Sequence, residues 1–315
     1  MTVHPINADT VTRALHEVRE SLGELPVERI EPLAGGVSNL TYRVDREGGA
    51  PVVIRVERES GIFEPYDVVR EARVLQALAE TAVPVPAVLA VADSSPALMT
   101  AFFVMEFVDA PHMGEVPRSA AVTANYVDAV ARIHEVQWSD AGLSFLDAPA
   151  LGNEAASRDL ETVTARAKRY GHAADPFIAE LGAWLAANLA WTSDLVLCQG
   201  DINVFNYLFL NDEVVAVVDW EQAHVGDRLS DLGLLAALSY LLGAQGAPAQ
   251  LPILADYAER SGADLNSLPY WVLAGLHKLA VIHRIWSAEG DSPPWYSWEQ
   301  VLASTSMVRD FVESD

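Results

Sequence analysis

The stretch from Leu197 to Glu221 constrains this chain more than any other. It reads Leu197-Cys-Gln-Gly-Asp-Ile-Asn-Val-Phe-Asn206, then the apolar run Tyr207–Leu210, the pair Asn211-Asp212, a second apolar run Val214–Val218, and Asp219-Trp-Glu. Asn-Asp between two short apolar runs predicts a tight antiparallel hairpin, pairing residues whose numbers sum to about 423 to 425. Asn206 then faces residue 217, 218 or 219, and its amide oxygen shares the open end of the hairpin with the Asp219 carboxylate. Two hard oxygen donors with room for water and phosphate suit Mg²⁺. Asp201 lies five residues before Asn206, on the loop that leads into the same hairpin. A carboxylate there can orient and deprotonate a hydroxyl while a metal neutralises phosphate charge. Taken singly, each of the three residues is more often a turn or cap residue; their joint spacing carries the reading.

Around this hairpin the sequence divides in two. Residues 9–25 have apolar positions at helical spacing (Val11, Leu15, Val18, Leu22), with Asp9 or Thr10 as cap. Three strand-like runs follow, 30–33, 40–44 and 52–56, separated by Gly-rich turns, then a helix over 66–80 and strands over 88–92 and 101–108. From about residue 109 the pattern is mostly helical: 122–134, 154–170, 174–190, 229–243, 251–261, 268–287 and 296–313. Short strands at 195–198, 207–210 and 214–218 interrupt it. The expectation is an α+β fold with a small strand-rich lobe, 1–108, and a larger helical lobe, 109–315, with a ligand cleft between them.

The spacing D-x-x-x-x-N followed by an apolar hairpin ending in Asp resembles the catalytic and metal loops of the protein-kinase-like phosphotransferases. Val218-Asp219-Trp220-Glu221, Gly226-Asp227 and Ser230-Asp231-Leu232 are similar to the signature of the aminoglycoside phosphotransferase family, which also includes choline, homoserine and hydroxyacyl-CoA kinases. The resemblance implies a two-lobe protein-kinase-like fold, with an antiparallel-sheet N-lobe that binds nucleotide and a C-lobe holding the catalytic hairpin. It implies Asp201 as catalytic base, Asn206 and Asp219 as Mg²⁺ ligands, ATP or GTP as phosphate donor, and a small-molecule alcohol as acceptor. Asp227 and Asp231 read as structural, bonding backbone amides at loop and helix starts.

The resemblance runs through the first lobe. Leu33-Ala-Gly-Gly-Val-Ser-Asn-Leu-Thr-Tyr42 resembles the family's nucleotide loop, in which Gly35 and Gly36 let the backbone approach phosphate and Ser38 adds a hydroxyl. Met105-Glu106-Phe107 resembles the hinge whose backbone holds adenine, while the Glu106 side chain reads as solvated. Val53-Ile-Arg-Val56 resembles the strand that presents a cation to the α- and β-phosphates, and Arg70-Glu71 resembles the acid that pairs with it. That cation is usually Lys. This chain has only two lysines, Lys168 and Lys278, and neither lies in the first lobe, so the role falls to Arg55. Arg is permanently charged and grips phosphate with a fork. Arg at this position, Ser38-Asn39-Leu40-Thr41-Tyr42, Val83-Pro-Val-Pro86 and Trp138…Gly142-Leu143 resemble a branch fused in some organisms to acyl-CoA dehydrogenases. Two departures stand out: Gln199 where the family has His, and neutral Asn203 where it often has a cation that touches the transferring phosphate.

Composition limits the partners. Forty-four Asp and Glu against 20 Lys and Arg give a net charge of −24, which opposes broad binding to nucleic acid or anionic membrane but not one local phosphate site. The single Cys198 excludes a disulfide framework and a thiolate zinc site. Its place beside the loop reads as that of a buried strand residue. His134 reads as packing. The first 25 residues show no apolar h-region, and the run Leu232–Ala244 is too short to span a bilayer, so the expected location is cytoplasmic. Oligomeric state is not legible. Three functions remain: a small-molecule kinase, a non-catalytic nucleotide-binding scaffold on the same fold, and, ranked lowest for want of a long activation segment after Trp220, a protein kinase. The acceptor stays open among aminoglycosides, amino alcohols, sugars and hydroxyacyl compounds. Tyr270, Trp271, Trp286, Trp295, Tyr296 and Trp298 either line its site or pack helices.

Overall fold

The run Val52-Val-Ile-Arg-Val56 is apolar on both faces apart from Arg55, the pattern of a central strand. In the computed structural model, which describes residues 6–23, 26–33, 39–288 and 296–314, it is the middle strand of a five-stranded antiparallel sheet. The strands are β1 (Val27–Pro32), β2 (Leu40–Arg46), β3 (Val52–Val56), β4 (Val88–Ala92) and β5 (Phe102–Glu106), in the order β1-β2-β3-β5-β4. Side chains alternate across the sheet. Val52, Ile54, Val56, Phe102 and Val104 form one core with Val11, Ala14 and Leu15 of helix α1 (Ala8–Glu17). Val53, Phe103 and Met105 face the other way, into a core that includes Val74, Leu75 and Leu78 of helix α3 (Val68–Leu78). Arg55 shares the parity of Val53, so period two alone aims it at α3 and the second lobe.

The predicted helix over 9–25 is broken. It stops at Glu17 and restarts as the short α2 (Arg19–Leu22). The Arg19 side chain takes the His16 carbonyl at 2.9 Å, the acceptor that a continuous helix would offer to the Glu20 amide.

The second lobe is helical: α4 (Ala120–Glu135), α5 (Glu154–Arg169), α6 (Pro176–Ala187), and, after a segment of short strands, α7 (Arg228–Leu241), α8 (Pro252–Ser261), α9 (Leu268–Ala288) and α10 (Trp298–Ser314). Helix α9 is apolar nearly all round and buried along most of its length, as expected of a helix surrounded by others. It packs on α5, α6, α7 and α10. Among the described residues no helix is long and apolar enough to cross a membrane.

Within this lobe sit β6 (Val196–Cys198), β7 (Tyr207–Leu210), β8 (Glu213–Val217) and β9 (His224–Gly226). β7 and β8 form the expected hairpin, with Tyr207 opposite Val217 and Leu210 opposite Glu213. Asn211 and Asp212 both have positive φ, 52° and 65°, as a type I′ turn requires. The sequence gives no sign of β9, a three-residue strand that pairs with β6. The linker after β5 lies along the hairpin, with the Phe209 amide donating to Pro111 O at 2.8 Å and the Met113 amide to Tyr207 O at 2.9 Å. The Val217 amide donates to Pro84 O at 2.8 Å. The hairpin is thereby fixed against the first lobe.

Candidate active site

Backbone geometry sets the loop before the hairpin. Gly200 has φ +83°, and a Cβ there would land on the Gln222 carbonyl, so only glycine fits. Both carboxylate oxygens of Asp231 accept backbone amides of this loop, Gln199 N at 2.8 Å and Gly200 N at 2.9 Å. Asp227 caps α7 by accepting the Leu229 amide at 2.8 Å. These bonds match the structural reading of both aspartates. Gln199, standing where His was expected, accepts the Asp201 amide at 2.9 Å and donates to Asp219 O at 2.7 Å. One side chain thus ties the loop to the far strand of the hairpin. The Tyr126 hydroxyl donates to Ile202 O at 2.7 Å.

Asp201, Asn206 and Asp219 come together as the hairpin register requires. The Val218 amide donates to Asn206 O at 2.9 Å, closing the hairpin at its open end. The Asn206 amide group donates to Asp201 O at 2.8 Å and to Asp201 Oδ2 at 3.1 Å. Asn203 also donates to Asp201 Oδ2, at 2.9 Å. Burial, and next the Asp219 charge, push the Asp201 carboxyl above its ordinary range, while Lys278 and the two amide donors pull it down. Asp219 is held at φ +62°, a left-handed conformation that costs a non-glycine residue about 1–3 kcal/mol.

Arg55 is almost fully buried and meets three carboxylates. Its Nε lies 2.8 Å from Glu71 Oε2, off the direct hydrogen-bond line, and its Nη2 reaches Asp219 Oδ1 at 2.7 Å and Glu221 Oε2 at 3.1 Å. Burial opposes its charge, but the three carboxylates together hold it firmly protonated. Glu71 also accepts the Trp220 amide at 3.2 Å, so it bridges β3 and the Asp219–Glu221 turn. Burial raises its carboxyl above the usual range, to about 7, with Arg55 acting against the rise. The Arg55–Glu71 pair agrees with the expectation from sequence. Glu221, and Asn39, which donates to Glu221 Oε2 at 3.0 Å, join the cluster without a local sequence signal for that contact.

Gly35, Gly36 and Ser38 lie outside the described residues. Glu106 ends β5 with an exposed side chain, and its amide is spent on Ala87 O at 2.9 Å. Phe107 lies under the Arg43 guanidinium, 4.4 Å from the ring centre. Trp271 lines a cavity of about 20 Å³ beside Gly200 and Lys278. Trp298 instead packs against Phe177, His283 and Arg284, and Trp295 is outside the described residues. Another depression, about 630 Å³, lies between the ends of α3 and α4, lined by Glu80, Arg132 and Glu135 among others, and holds none of the site residues. His134 converges with Cys198 and Asp231, a contact hidden by sequence distance. Its ring bonds Tyr257 at 2.7 Å and Asp231 at 3.3 Å, and burial pushes the Cys198 thiol well above its ordinary pKa, so the cluster is internal structure.

With this geometry in place, comparison with known proteins decides the family. Residues 29–270 match the model of the phosphotransferase enzyme family. The chain belongs to that family. It is 28% identical over 281 residues to mouse acyl-CoA dehydrogenase family member 10, covering 85% of this chain and 24% of that protein. It is 28% identical over 260 residues to rat acyl-CoA dehydrogenase family member 11, covering 75% and 33%. The chain therefore spans about a quarter to a third of these relatives, as the branch resemblance implied. Among solved structures, a Ralstonia eutropha protein provisionally termed an aminoglycoside phosphotransferase superposes with TM-score 0.68 at 21% identity, over 98% of this chain and 97% of that one. A thermostable mutant of another aminoglycoside phosphotransferase, solved as a ternary complex with AMP-PNP and hygromycin B, superposes with TM-score 0.63 at 17% identity over 98% and 99%. These likenesses bear out the α+β, protein-kinase-like two-lobe fold.

Proposed function

We propose that this chain is an ATP- or GTP-dependent kinase that moves the γ-phosphate to a hydroxyl of a small molecule. The observation that carries the reading is the meeting of Asp201, Asn206 and Asp219 at one end of the β7–β8 hairpin, facing Arg55 from the sheet. The complex of the structural relative with AMP-PNP and hygromycin B supports nucleotide use and a small-molecule acceptor.

Roles follow from chemistry. Asp201, oriented by two amide donors, accepts the hydrogen bond and then the proton of the acceptor hydroxyl. Arg55, steadied by Glu71, offers its fork to the α- and β-phosphates. The donor set fits Mg²⁺: a carboxylate and an amide oxygen, both hard, on adjacent positions, with Asp219 partly open to solvent. Asn206 and Asp219 would hold the ion, which when bound neutralises charge on the phosphates. Gly35, Gly36 and Ser38 would cover the phosphates, and backbone groups of Glu106–Phe107 other than the engaged Glu106 amide would meet the base. In this reading residues 1–108 form the nucleotide lobe and 109–315 the catalytic and acceptor lobe, acting in the cytoplasm without nucleic-acid or membrane partners.

The test is ADP release with Mg-ATP and with Mg-GTP over aminoglycosides, amino alcohols, sugars and hydroxyacyl thioesters. Turnover should appear with at least one acceptor, and Asp201→Asn should lower it by about 10² or more. Near-wild-type turnover in that variant would remove Asp201 from the role of base. A second reading, a nucleotide-binding scaffold, is favoured by neutral Asn203 and by the three carboxylates that occupy Arg55. Thermal stabilisation by Mg-ATP with no ADP formed across the panel would select it.

A further inference from the structure

The loop that carries Asp201 brings no cation of its own. Asn203 is neutral and spends its amide on Asp201. A positive charge arrives instead from α9. In a chain with two lysines, Lys168 is exposed on α5, whereas Lys278 lies on the central helix of the second lobe. The Lys278 Nζ donates to Gly200 O at 2.9 Å, one residue before Asp201. Beside it lies the cavity of about 20 Å³, lined also by Asp159, Asp231 and Trp271 and large enough for one water.

Burying an ammonium is expensive, and methionine would fill the same length at no electrostatic cost. The cost must be offset locally. Burial is the largest influence and holds the Lys278 ammonium below its ordinary pKa; of the charges facing it, Asp201, Asp159 and Asp231 work against that fall and Arg166 with it, Asp201 being the strongest of the four.

We propose that Lys278 is a positioning residue for the catalytic base: it pins the Gly200 carbonyl and supplies beside Asp201 the positive charge that the loop lacks at Asn203. The proposal rests on the kinase reading above and deepens it. A Gly200 carbonyl fixed by Lys278 keeps the loop from swinging the Asp201 carboxylate away from an acceptor hydroxyl.

The experiment has one arm that needs no turnover. In full-length protein labelled with ¹³Cε-lysine, the side-chain signals come from Lys168 and Lys278 alone, and Lys278→Arg assigns them. Asp201→Asn should shift the Lys278 titration to lower pH by about half a unit or more and leave Lys168 in place. The second arm is kinetic, with whichever acceptor gives ADP in the panel, or with water if only hydrolysis of Mg-ATP is seen. Lys278→Met should lower kcat by about tenfold or more, with KM for Mg-ATP within twofold and an unchanged melting temperature. Lys278→Arg should recover most of the loss, which a mere packing role would not predict. A Lys278 signal unmoved by Asp201→Asn, or a folded Lys278→Met within twofold of wild-type kcat, overturns the proposal. If the wild type forms no ADP at all, the kinase reading falls separately, and the titration arm still decides whether Lys278 is coupled to Asp201.

Discussion

Arg55 is the residue on which the most separate forces converge. Strand parity aims it across the sheet, burial strips its water, and Glu71, Asp219 and Glu221 replace that water with charge. Such a cluster is stable only as a set, because removing one member of a buried pair strands the others at a cost of about 3–5 kcal/mol. Arg55→Met should therefore lower the melting temperature sharply, and on its own it would say little about nucleotide. Adding Glu71→Leu removes the most buried of the stranded carboxylates and should return part of the lost stability. Calorimetry with Mg-ATP then separates the roles: the double variant should regain stability but not nucleotide affinity. Wild-type affinity in the folded double variant would take Arg55 out of the phosphate site. The Arg55–Glu71 pair was legible in the sequence. Glu221 was not, because its contact depends on the turn that Asp219 makes at φ +62°, and a positive φ at a non-glycine residue leaves no mark in a one-dimensional pattern.

At the scale of elements, the sequence carries local signals plainly and long-range ones hardly at all. The β7–β8 register follows from a two-residue turn and two apolar runs, all within about a dozen residues. The end of α1 at Glu17 leaves no mark in the sequence pattern, because the apolar spacing runs on through Val18 and Leu22 across the break. The place of Lys278 beside Gly200 has no local signal, since α9 is brought to that loop by packing on α7. That packing is close. Gly233 of α7 faces the backbone of Trp271 in α9, where a Cβ would land on the Trp271 carbonyl, and Gly275 of α9 faces Gly233 O in return. Gly233→Ala tests the contact with opposing terms. Helix propensity would gain about 1 kcal/mol, but overpacking against rigid backbone costs about 1–3 kcal/mol or more. The expected net result is a lower melting temperature, together with reduced turnover as α9 carries Trp271 and Lys278 away from Gly200. A variant as stable and active as wild type would show that the two helices are not in contact at this point.

At the scale of the molecule, acidic groups gather where the lobes meet: Glu71, Asp219 and Glu221 surround the Arg55 guanidinium, and the Asp219 charge also acts on Asp201. A bare nucleoside triphosphate approaching this site would meet more negative than positive charge, so the proposed function requires its binding to be coupled to a divalent cation. The same groups also join the lobes. Arg55 of the sheet holds Asp219 and Glu221, Asn39 holds Glu221, and Arg70 of α3 donates to the carbonyls of Glu221 and Ala223. Whatever occupies the site therefore acts on lobe docking and on global stability together. Mg-ATP at about 100 times its Kd should stabilise the fold by about 2.7 kcal/mol, a rise of about 5 °C in melting temperature. The same ATP with EDTA should give little or none, and Mg²⁺ alone only a small rise. Asp219→Asn should abolish the difference between the Mg-ATP and EDTA samples, since it removes the only charged member of the proposed metal pair. Equal stabilisation with and without the metal would instead place the triphosphate on Arg55 by itself, and would leave Asn206 and Asp219 as the turn and cap residues that their types, taken one at a time, suggest.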